Sequence, residues 1–416
     1  MLLTTIRQRN NPLSWFAGDW PLLNHFYRPI STLSFELDNR LYGDNAAGYG
    51  LTNALLCVVC VLLLYWFLRE LTDRPLLAGG GAVIFAFQHV GYQDYLETPV
   101  FWLAILVGIV GFVRHGVKIG YWAPAVLVLL YSINELSGSA EMGARTIGWL
   151  PGRTATVMTV FALTAMASYA RYERLGANRI ETVPSPLDPP ATKTTREGPN
   201  SKPSVFWPVL SLLSVALALG SYEQAVMLPA ALLAVAVTMK CSRFQVRWSW
   251  QAGFWALLFA YLVARRAFIP AGVSQYQAQQ FRHGPGVYIS IFNYVMPWFN
   301  AIPSVVSDLG IGWLMLLTAK PYLFLLSTAS NLTAFYQLRR QWVLALAGYG
   351  MSLLAFLPMA WVKWFGHYNY WPTALRSLFT VTLLWVGFEL LTIACSPPTR
   401  QAPLRPDPAP GSLLRP

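Results

Sequence analysis

The sequence predicts an all-α fold, a polytopic transmembrane helical bundle of about eleven helices joined by outward-facing interfacial loops. Of the 416 residues, 55% are hydrophobic and 12% are charged, and the mean hydropathy is +0.43. This composition is too apolar for a soluble domain. The 17 Trp and 20 Tyr residues cluster at the ends of apolar runs, where amphipathic rings prefer the headgroup level. We therefore expect an integral, multi-pass membrane protein.

The predicted helices follow from apolar windows of roughly 17 to 25 residues, the length that crosses a bilayer. These windows lie near residues 49–68, 75–91, 98–114, 120–136, 152–171, 205–221, 224–239, 250–269, 311–337, 341–361 and 372–394.

The chain divides into five parts by composition. Two stretches rich in Pro, Ser, Thr and Arg cannot bury enough apolar surface to order themselves, and they predict disorder. The predicted parts are an external amphipathic loop segment (1–48), a first membrane half (49–180), a disordered cytoplasmic linker (181–204), a second membrane half (205–395) and a disordered cytoplasmic tail (396–416).

The positions of Lys and Arg in short connections predict the orientation of the chain. The formal net charge of +12 is divided among these connections and forms no continuous basic face, so nucleic acid is not an expected partner. Connections rich in Lys and Arg, predicted cytoplasmic, hold Arg69 and Arg74, Arg114 and Lys118, the stretch 171–202, Lys240 to Arg247, and Arg339 and Arg340. The connections predicted outside are 89–99, 134–153, 222–224, 266–303 and 363–372, and the amino-terminal segment joins them.

Residues 24–53 form a polar, aromatic and charged segment that leads into the first long apolar helix. Each unpaired charge in hydrocarbon costs about 2.5 to 3.5 kcal/mol. The segment is therefore expected at an interface or in a water-filled cavity. Its charged residues are Arg28, Glu36, Asp38, Arg40 and Asp44.

Acids in the predicted outer loops are candidates for catalysis. Asp94 and Glu97 lie three residues apart and would share one face of a helical turn, where they could act as a base or bind a divalent cation. The alternative is that both are solvated loop acids. Glu223 lies in a short outer turn between two helices, where an acid in contact with water needs no special role. Cys57 and Cys60 have no flanking His or second Cys pair, so we expect buried thiols rather than a zinc site.

Basic residues in the same loops are candidates for binding an anion. Arg145 and Arg153 work against the positive-inside bias, and bidentate binding of a lipid phosphate would explain them. Lys363 and His367 add a cation and an imidazole to an aromatic rim. The alternatives are snorkelling to headgroups for the arginines and interfacial anchoring for the other two. The chain contains no nucleotide-binding, zinc-protease or hydrolase signature.

Four sequence pieces, taken in order, resemble a known family. The first is FYRPISTLSFELDNRLYG followed by GYGLTNALLCVVCVLLLYWFLREL, and the others are WLPGRTATVMTVFALTAMASYARY, SYEQAVMLPAALL and HYNYWPTALRSLF. Together they resemble integral-membrane glycosyltransferases of the GT-C superfamily, particularly bacterial relatives of the O-mannosyltransferases that carry tetratricopeptide repeats. The resemblance covers most of residues 10–395.

The resemblance implies that the chain moves a sugar from a polyprenyl-phosphate carrier to a protein, lipid or glycan acceptor. The reaction would take place on the outer face of the bacterial inner membrane. An outer-loop acid would act as the base or position the acceptor, and basic groups would hold the phosphate. By position, Asp94 corresponds to an acid of the second external loop, Arg28 and Arg153 match the Arg-Pro and Gly-Arg positions, and His367 replaces an expected Arg.

The chain departs from the family pattern in three respects. The family's first helix and its acidic pair would precede Met1, so we expect either a truncated start or a chain without that acid. Tyr222 replaces a Lys, and tetratricopeptide repeats are absent.

Two other classes remain as alternatives. A lipid flippase or complex scaffold would carry charges in mid-helix, and Lys320 and Glu389 are the main examples here. A secondary transporter would show inverted repeats with broken helices in both halves; only the window 311–337 looks broken.

Overall fold

The computed structural model describes residues 2–9, 11–89, 125, 140–176, 204–242, 246–295 and 341–395. Over these residues the chain is all-helical, and none of them belongs to a β-strand. An isolated antiparallel bridge joins Phe281 and Val362. The predicted linker 181–204, except residue 204, and the predicted tail 396–416 lie outside the described residues.

The described residues form twelve α-helices of six or more residues. They are α1 (Leu2–Arg9), α2 (Pro29–Tyr42), α3 (Ala46–Thr72), α4 (Pro75–Phe87), α5 (Arg153–Gly176), α6 (Phe206–Leu219), α7 (Leu228–Cys241), α8 (Ser249–Phe268), α9 (Gln275–Gln280), α10 (Pro285–Val295), α11 (Trp342–Phe356) and α12 (Tyr370–Cys395). Short helical turns connect them at Pro12–Ala17, Ala140–Gly143, Ala144–Gly148, Leu150–Gly152, Glu223–Met227, Leu357–Trp361 and Gly366–Asn369.

Local chemistry sets the ends of the helices around α3. Helix α2 starts at Pro29, whose fixed φ suits the first turn, and ends at Tyr42, followed by Gly43 with φ 58° as its C-cap. The side chain of Asn45 then accepts a hydrogen bond from the backbone N–H of Ala47 at 3.1 Å and caps α3. The short link between these two caps places α2 at one end of α3.

Most predicted windows coincide with helices. The windows 98–114 and 311–337 lie outside the described residues, as does 120–136 apart from Ala125. By length and composition, four helices of the described part of the chain could cross a membrane: Ala46–Thr72, Glu223–Cys241, Trp342–Trp361 and Gly366–Thr392. The apolar helices Pro75–Phe87 and Phe206–Leu219 are shorter. The chain is thus a helical protein with membrane-type helices, and the count of eleven stays a prediction.

The helices α3, α4, α12, α11, α7 and α5 pack in a closed ring, each against the next. Helix α6 packs outside α5, and α8 packs against α6 and α7. Gly348 permits the contact between α11 and α12, because a Cβ there would come within 2.5 Å of the backbone nitrogen of Phe379. Small residues allow such close backbone contacts in membrane helices.

Helix α3 is apolar on both of its faces. One face, including Cys57 and Cys60, is buried in the ring, and neither thiol is paired with another cysteine, as predicted. The opposite face exposes Leu51, Leu55, Val58 and Leu62. A helix that is hydrophobic all round is typical of a membrane span. The exposed face of α3 therefore fits contact with lipid.

Within the described residues, the connections predicted on opposite sides of the membrane lie at opposite ends of the ring. At one end, Arg171 pairs with Glu70 at 2.7 Å and Arg74 donates to Gln341 at 3.1 Å, both within connections predicted cytoplasmic. At the other end, the described parts of the predicted outer connections 134–153, 222–224, 266–303 and 363–372 meet around a cavity. The inside and outside assignment itself stays a prediction.

Candidate functional site

A cavity of about 330 Å³ lies at the predicted outer end of the ring. Every lining residue belongs to the amino-terminal segment or to a connection predicted outside, apart from Val362 at the edge of one. The lining residues are Trp20, Leu22, Asn24, Phe26, Arg28, Trp149, Pro151, Tyr222, Tyr276, Gln277, Gln280, Phe281, Val362, Phe365, His367 and Tyr368. The wall is therefore mainly aromatic, and two predicted site residues, Arg28 and His367, belong to it.

Arg28 is fixed in the wall by one carboxylate. Its Nε and Nη2 atoms donate to Oε2 of Glu223 at 2.8 and 2.6 Å. Burial works against the charged form, but Glu223 together with Tyr222 and Tyr368 outweighs it, so the pKa of Arg28 lies above its ordinary value. Arg28 therefore stays charged, and its charge is balanced by Glu223.

Aromatic rings surround the guanidinium of Arg28. Its Cζ atom lies 4.7 Å from the ring centroid of Trp20, 4.1 Å from that of Phe26 and 4.6 Å from that of Tyr222. These distances are typical of cation–π contacts. The ring contacts and the ion pair with Glu223 together fix the orientation of the Arg28 guanidinium in the cavity wall.

Backbone contacts bring Arg28 and Glu223 together. The N–H of Ile30 donates to the carbonyl of Gly220 at 3.0 Å, and the hydroxyl of Ser31 donates to the carbonyl of Ser221 at 2.8 Å. The start of α2 is thus attached to the turn that begins at Tyr222. This attachment joins two segments that are far apart in the sequence.

His367 is buried among aromatic rings. The centroid of its imidazole lies 4.4 Å from Tyr368, 5.1 Å from Trp149 and 6.0 Å from Phe365. Its Nδ1 atom has no hydrogen-bond partner in the described part of the chain. His367 therefore brings an unused polar atom to an otherwise aromatic wall.

The other predicted cations near the cavity lie at its edge. Arg145 stacks on two lining rings, with Cζ at 5.6 Å from Trp149 and 5.1 Å from Phe365. Lys363 is exposed, and its backbone N–H donates to the carbonyl of Gln280 at 2.8 Å. Two basic side chains, Arg145 and Lys363, therefore lie at the edge of the cavity.

Arg153 lies in a separate cluster and is not among the lining residues. Its side chain has no exposed surface, and Nη1 lies 2.6 Å from Oδ2 of Asp38 in an ion pair outside hydrogen-bond geometry. Nε donates to Oδ1 of Asn53 at 2.6 Å, and Nη2 donates to the carbonyl of Tyr49 at 3.0 Å. A lipid phosphate would reach this guanidinium only if the pair with Asp38 opened.

The charges of the segment 24–53 are therefore compensated inside the protein. Asp38 also accepts a hydrogen bond from Thr52 at 3.0 Å, and Glu36 accepts from Trp15 at 3.0 Å and pairs with Arg40 at 2.5 Å. These pairs explain how a charged segment packs against an apolar helix. The sequence did not reveal these pairs, because Trp15, Thr52 and Arg153 are not at helical spacing from the acids they contact. Only Glu36 and Arg40 are four residues apart.

The predicted acids Asp94 and Glu97 lie outside the described residues. Within the described part of the chain, no group of three or more His, Cys, Asp or Glu side chains could hold a metal ion. Asp19 shapes the cavity loop, since its carboxylate accepts from the backbone N–H groups of Trp20, His25 and Phe26 at 2.7, 3.0 and 3.0 Å. Asp19 is thereby occupied as a structural acceptor.

Several lining residues were not singled out from the sequence. These are Trp20 and Asn24, in a loop of the amino-terminal segment, and Tyr276 and Gln277, in the short helix α9. Gln277 is placed by a capping box with Ser274 and donates to the carbonyl of His25 at 3.2 Å. A Ser followed three residues later by Gln is a readable capping signal, but it predicts a helix start and not a cavity wall.

Comparisons of the chain with protein-family models, with curated proteins and with solved structures give no significant match.

Proposed function

We propose that this chain is a membrane glycosyltransferase that moves a sugar from a polyprenyl-phosphate carrier to a protein, lipid or glycan acceptor on the outer face of the membrane. One observation carries the proposal. The four sequence pieces that resemble GT-C enzymes meet around one cavity, which they line with Arg28, Trp149, Tyr222 and His367. Motifs that had no shared role would not be expected to converge in this way.

The chemistry of the cavity agrees with the proposed ligand. Aromatic faces suit the C–H surfaces of a sugar or an isoprenoid, because the ring face is negative and C–H groups are weakly positive. Arginine and lysine at the edge suit a phosphate, whose charge must be stabilised as it leaves. Apolar helices below the cavity give a lipid tail a route along the bilayer.

The roles proposed for the residues differ from those expected from sequence alone. Arg145 and Lys363, at the edge, are the proposed phosphate ligands. Arg28, held by Glu223, forms part of the cavity wall, and Arg153 supports the fold. The acid that takes the acceptor proton is proposed to be Asp94 or Glu97, on the sequence resemblance.

The test is sugar transfer by the purified full chain in lipid nanodiscs supplied with radiolabelled polyprenyl-phosphate sugars and membrane acceptor fractions. We expect labelled acceptor from the wild-type chain. Arg145→Ala should reduce the rate at least about tenfold, because one phosphate contact is lost. Arg171→Ala, at the opposite end of the ring, is the matched control and should leave the rate unchanged.

The proposal fails if no labelled acceptor forms with any carrier sugar and if Asp94→Asn leaves the glycans of the producing cell unchanged. It also fails if Arg145→Ala and Arg171→Ala reduce transfer equally, since the cavity would then have no special part in the reaction.

A further inference from the structure

Three buried polar side chains lie between α5 and α8, at the predicted cytoplasmic end of the ring. Tyr169 and Glu173 on α5 have no exposed surface, and Gln251 on α8 is 7% exposed. The Tyr169 hydroxyl, Glu173 Oε1 and Gln251 Oε1 all lack a hydrogen-bond partner in the described part of the chain. Buried polar atoms in folded proteins are nearly always paired. This cluster therefore points to a ligand.

The packing of α8 on α5 brings the three side chains together. Tyr169 and Glu173 are four residues apart and share one face of α5. Glu173 Oε2 accepts a hydrogen bond from the backbone N–H of Arg247 at 3.0 Å. The ring centroid of Tyr169 lies 5.4 Å from that of Phe254. Gln251 lies between these two contacts along the chain, about one helical turn from each. The Tyr169 hydroxyl accordingly interacts with both Gln251 and Glu173, outside hydrogen-bond geometry.

The cluster has more oxygen atoms than hydrogen atoms to join them. The amide nitrogen of Gln251 donates to the carbonyl of Leu232 at 3.4 Å, so the amide oxygen is the atom left for the cluster. This oxygen and the Glu173 carboxylate only accept, and the Tyr169 hydroxyl supplies a single hydrogen. At least one oxygen therefore lacks a donor, whichever way the hydroxyl turns.

The charge of Glu173 is also poorly compensated. The guanidinium of Arg247 is directed elsewhere, because Nη2 donates to the carbonyl of Gly176 at 3.1 Å and Cζ lies 4.9 Å from the ring centroid of Tyr172. Tyr172 and Gly176 lie about 100° around α5 from Tyr169 and Glu173. The charge of Arg247 accordingly affects Glu173 less than its backbone hydrogen bond does. A buried carboxylate is costly unless a positive charge balances it.

We infer that Tyr169, Glu173 and Gln251 form a binding site for a small monovalent cation, Na⁺. Hard cations prefer oxygen ligands, and here a carboxylate, an amide and a phenol oxygen are supplied by two helices. One carboxylate balances the single positive charge. The bound cation joins α5 to the start of α8, at the opposite end of the ring from the cavity, so the inference does not depend on the proposed function.

The test compares the purified full chain in NaCl and in choline chloride, at equal ionic strength and constant pH in detergent micelles. Choline is too large to enter a buried site between two packed helices. We expect the thermal unfolding midpoint to be at least about 3 °C higher in NaCl at about 200 mM, because Na⁺ binds the folded state. Radioactive sodium should bind the same preparation saturably, at about one ion per chain.

Substitutions in the cluster should weaken this binding. Glu173→Gln keeps the shape of the side chain but removes its charge, so it should lower the Na⁺ affinity at least about tenfold and abolish the NaCl-dependent shift. Tyr169→Phe and Gln251→Leu each remove one oxygen ligand and should each lower the affinity about threefold or more.

The matched control for Glu173→Gln is Glu389→Gln. Glu389 is another acid at the predicted cytoplasmic end, on α12, but its Oε1 atom accepts a hydrogen bond from Trp385 at 2.6 Å. This variant should bind Na⁺ as the wild type does.

The inference is overturned if the unfolding midpoint is the same in NaCl and choline chloride, a comparison that needs only the wild-type chain. A midpoint that changes with pH but not with Na⁺ overturns it too, since Glu173 would then hold a proton. Unchanged Na⁺ affinity in folded Glu173→Gln has the same consequence. If Glu173→Gln does not fold, unchanged affinity in both Tyr169→Phe and Gln251→Leu decides against the site. Sugar transfer judges the proposed function separately.

Discussion

Arg28 and Arg153 are both buried arginines paired with one carboxylate, yet they lie in different surroundings. The guanidinium of Arg153 is enclosed by Asp38, Asn53 and a backbone carbonyl, and it has no exposed surface. The guanidinium of Arg28 is held by Glu223 and aromatic rings, and it lines a cavity. The difference shows that pairing alone does not define a role: Arg153 joins helices, whereas Arg28 forms a binding wall.

The largest expected effect is that of Arg153→Met. Removing this guanidinium leaves the buried carboxylate of Asp38 without its counter-charge, and breaking a buried pair in this way costs about 3 to 5 kcal/mol. We expect a loss of that size in the free energy of unfolding, measured by denaturant titration in detergent micelles.

The double variant Asp38→Leu with Arg153→Met is the control for this prediction. It removes both charges, so it should recover much of the lost stability. A single variant as stable as the wild type would show that the pair with Asp38 does not hold α2 against α3 and α5.

Arg28→Met should have a smaller effect on stability, about 1 to 3 kcal/mol. The Glu223 side chain keeps 19% of its surface exposed, so water can solvate the carboxylate that remains. The same denaturant titration measures the loss. If Arg28→Met destabilised the chain as much as Arg153→Met does, the proposed difference between Arg28 in the cavity wall and Arg153 in the contact between helices would be wrong.

Arg145→Ala should destabilise the chain less than Arg28→Met does, because Arg145 lies at a partly exposed position, whereas Arg28 is buried. Its expected effect is on sugar transfer, as given above. The thermal unfolding midpoint and the transfer rate, measured on the same preparation, check both parts. A loss of stability as large as that of Arg28→Met would mean that the edge of the cavity is part of the fold.

Arg7→Ala should have the smallest effect. Arg7 contacts Asp44 at 2.5 Å and Asn39 at 2.8 Å on the surface of the protein, where ion pairs contribute little. The unfolding midpoint should not change measurably. A clear shift would show that α1 contributes to the attachment of α2 more than its exposed contacts indicate.

Sequence reasoning predicted the helices well because a membrane span has one dominant requirement. Windows such as 49–68 and 372–394 are long and apolar, and helices Ala46–Thr72 and Tyr370–Cys395 contain them. Apolar windows are a weaker guide to membrane spans for helices that other helices of the protein surround. Helix Arg153–Gly176 is rich in Ala and Thr and is almost wholly enclosed, and it is not among the helices apolar enough to cross a membrane by themselves.

The site was only partly predictable. The sequence identified Arg28 and His367 as candidates, and both line the cavity. It could not separate Arg28 from Arg153, because each follows an aromatic motif and each precedes a helix. The distinguishing partners, Glu223 and Asp38, are set by how α2 folds across the ring, which local sequence does not encode. Asn24 was missed because a lone loop amide gives no pattern.

The length of α3 places the Arg153 cluster at a particular depth. The helix has 27 residues, about 40 Å at 1.5 Å per residue, and the stretch from Leu51 to Leu68 accounts for about 27 Å. A hydrocarbon core of about 30 Å accommodates that stretch, so Asn53 and its partner Arg153 come within one helical turn of the headgroups. The acyl-chain length of the lipids would then decide whether headgroups or hydrocarbon lie beside the ion pair of Arg153 and Asp38. The chain should be most stable in bilayers whose thickness matches the apolar stretch of α3 and less stable in thicker ones.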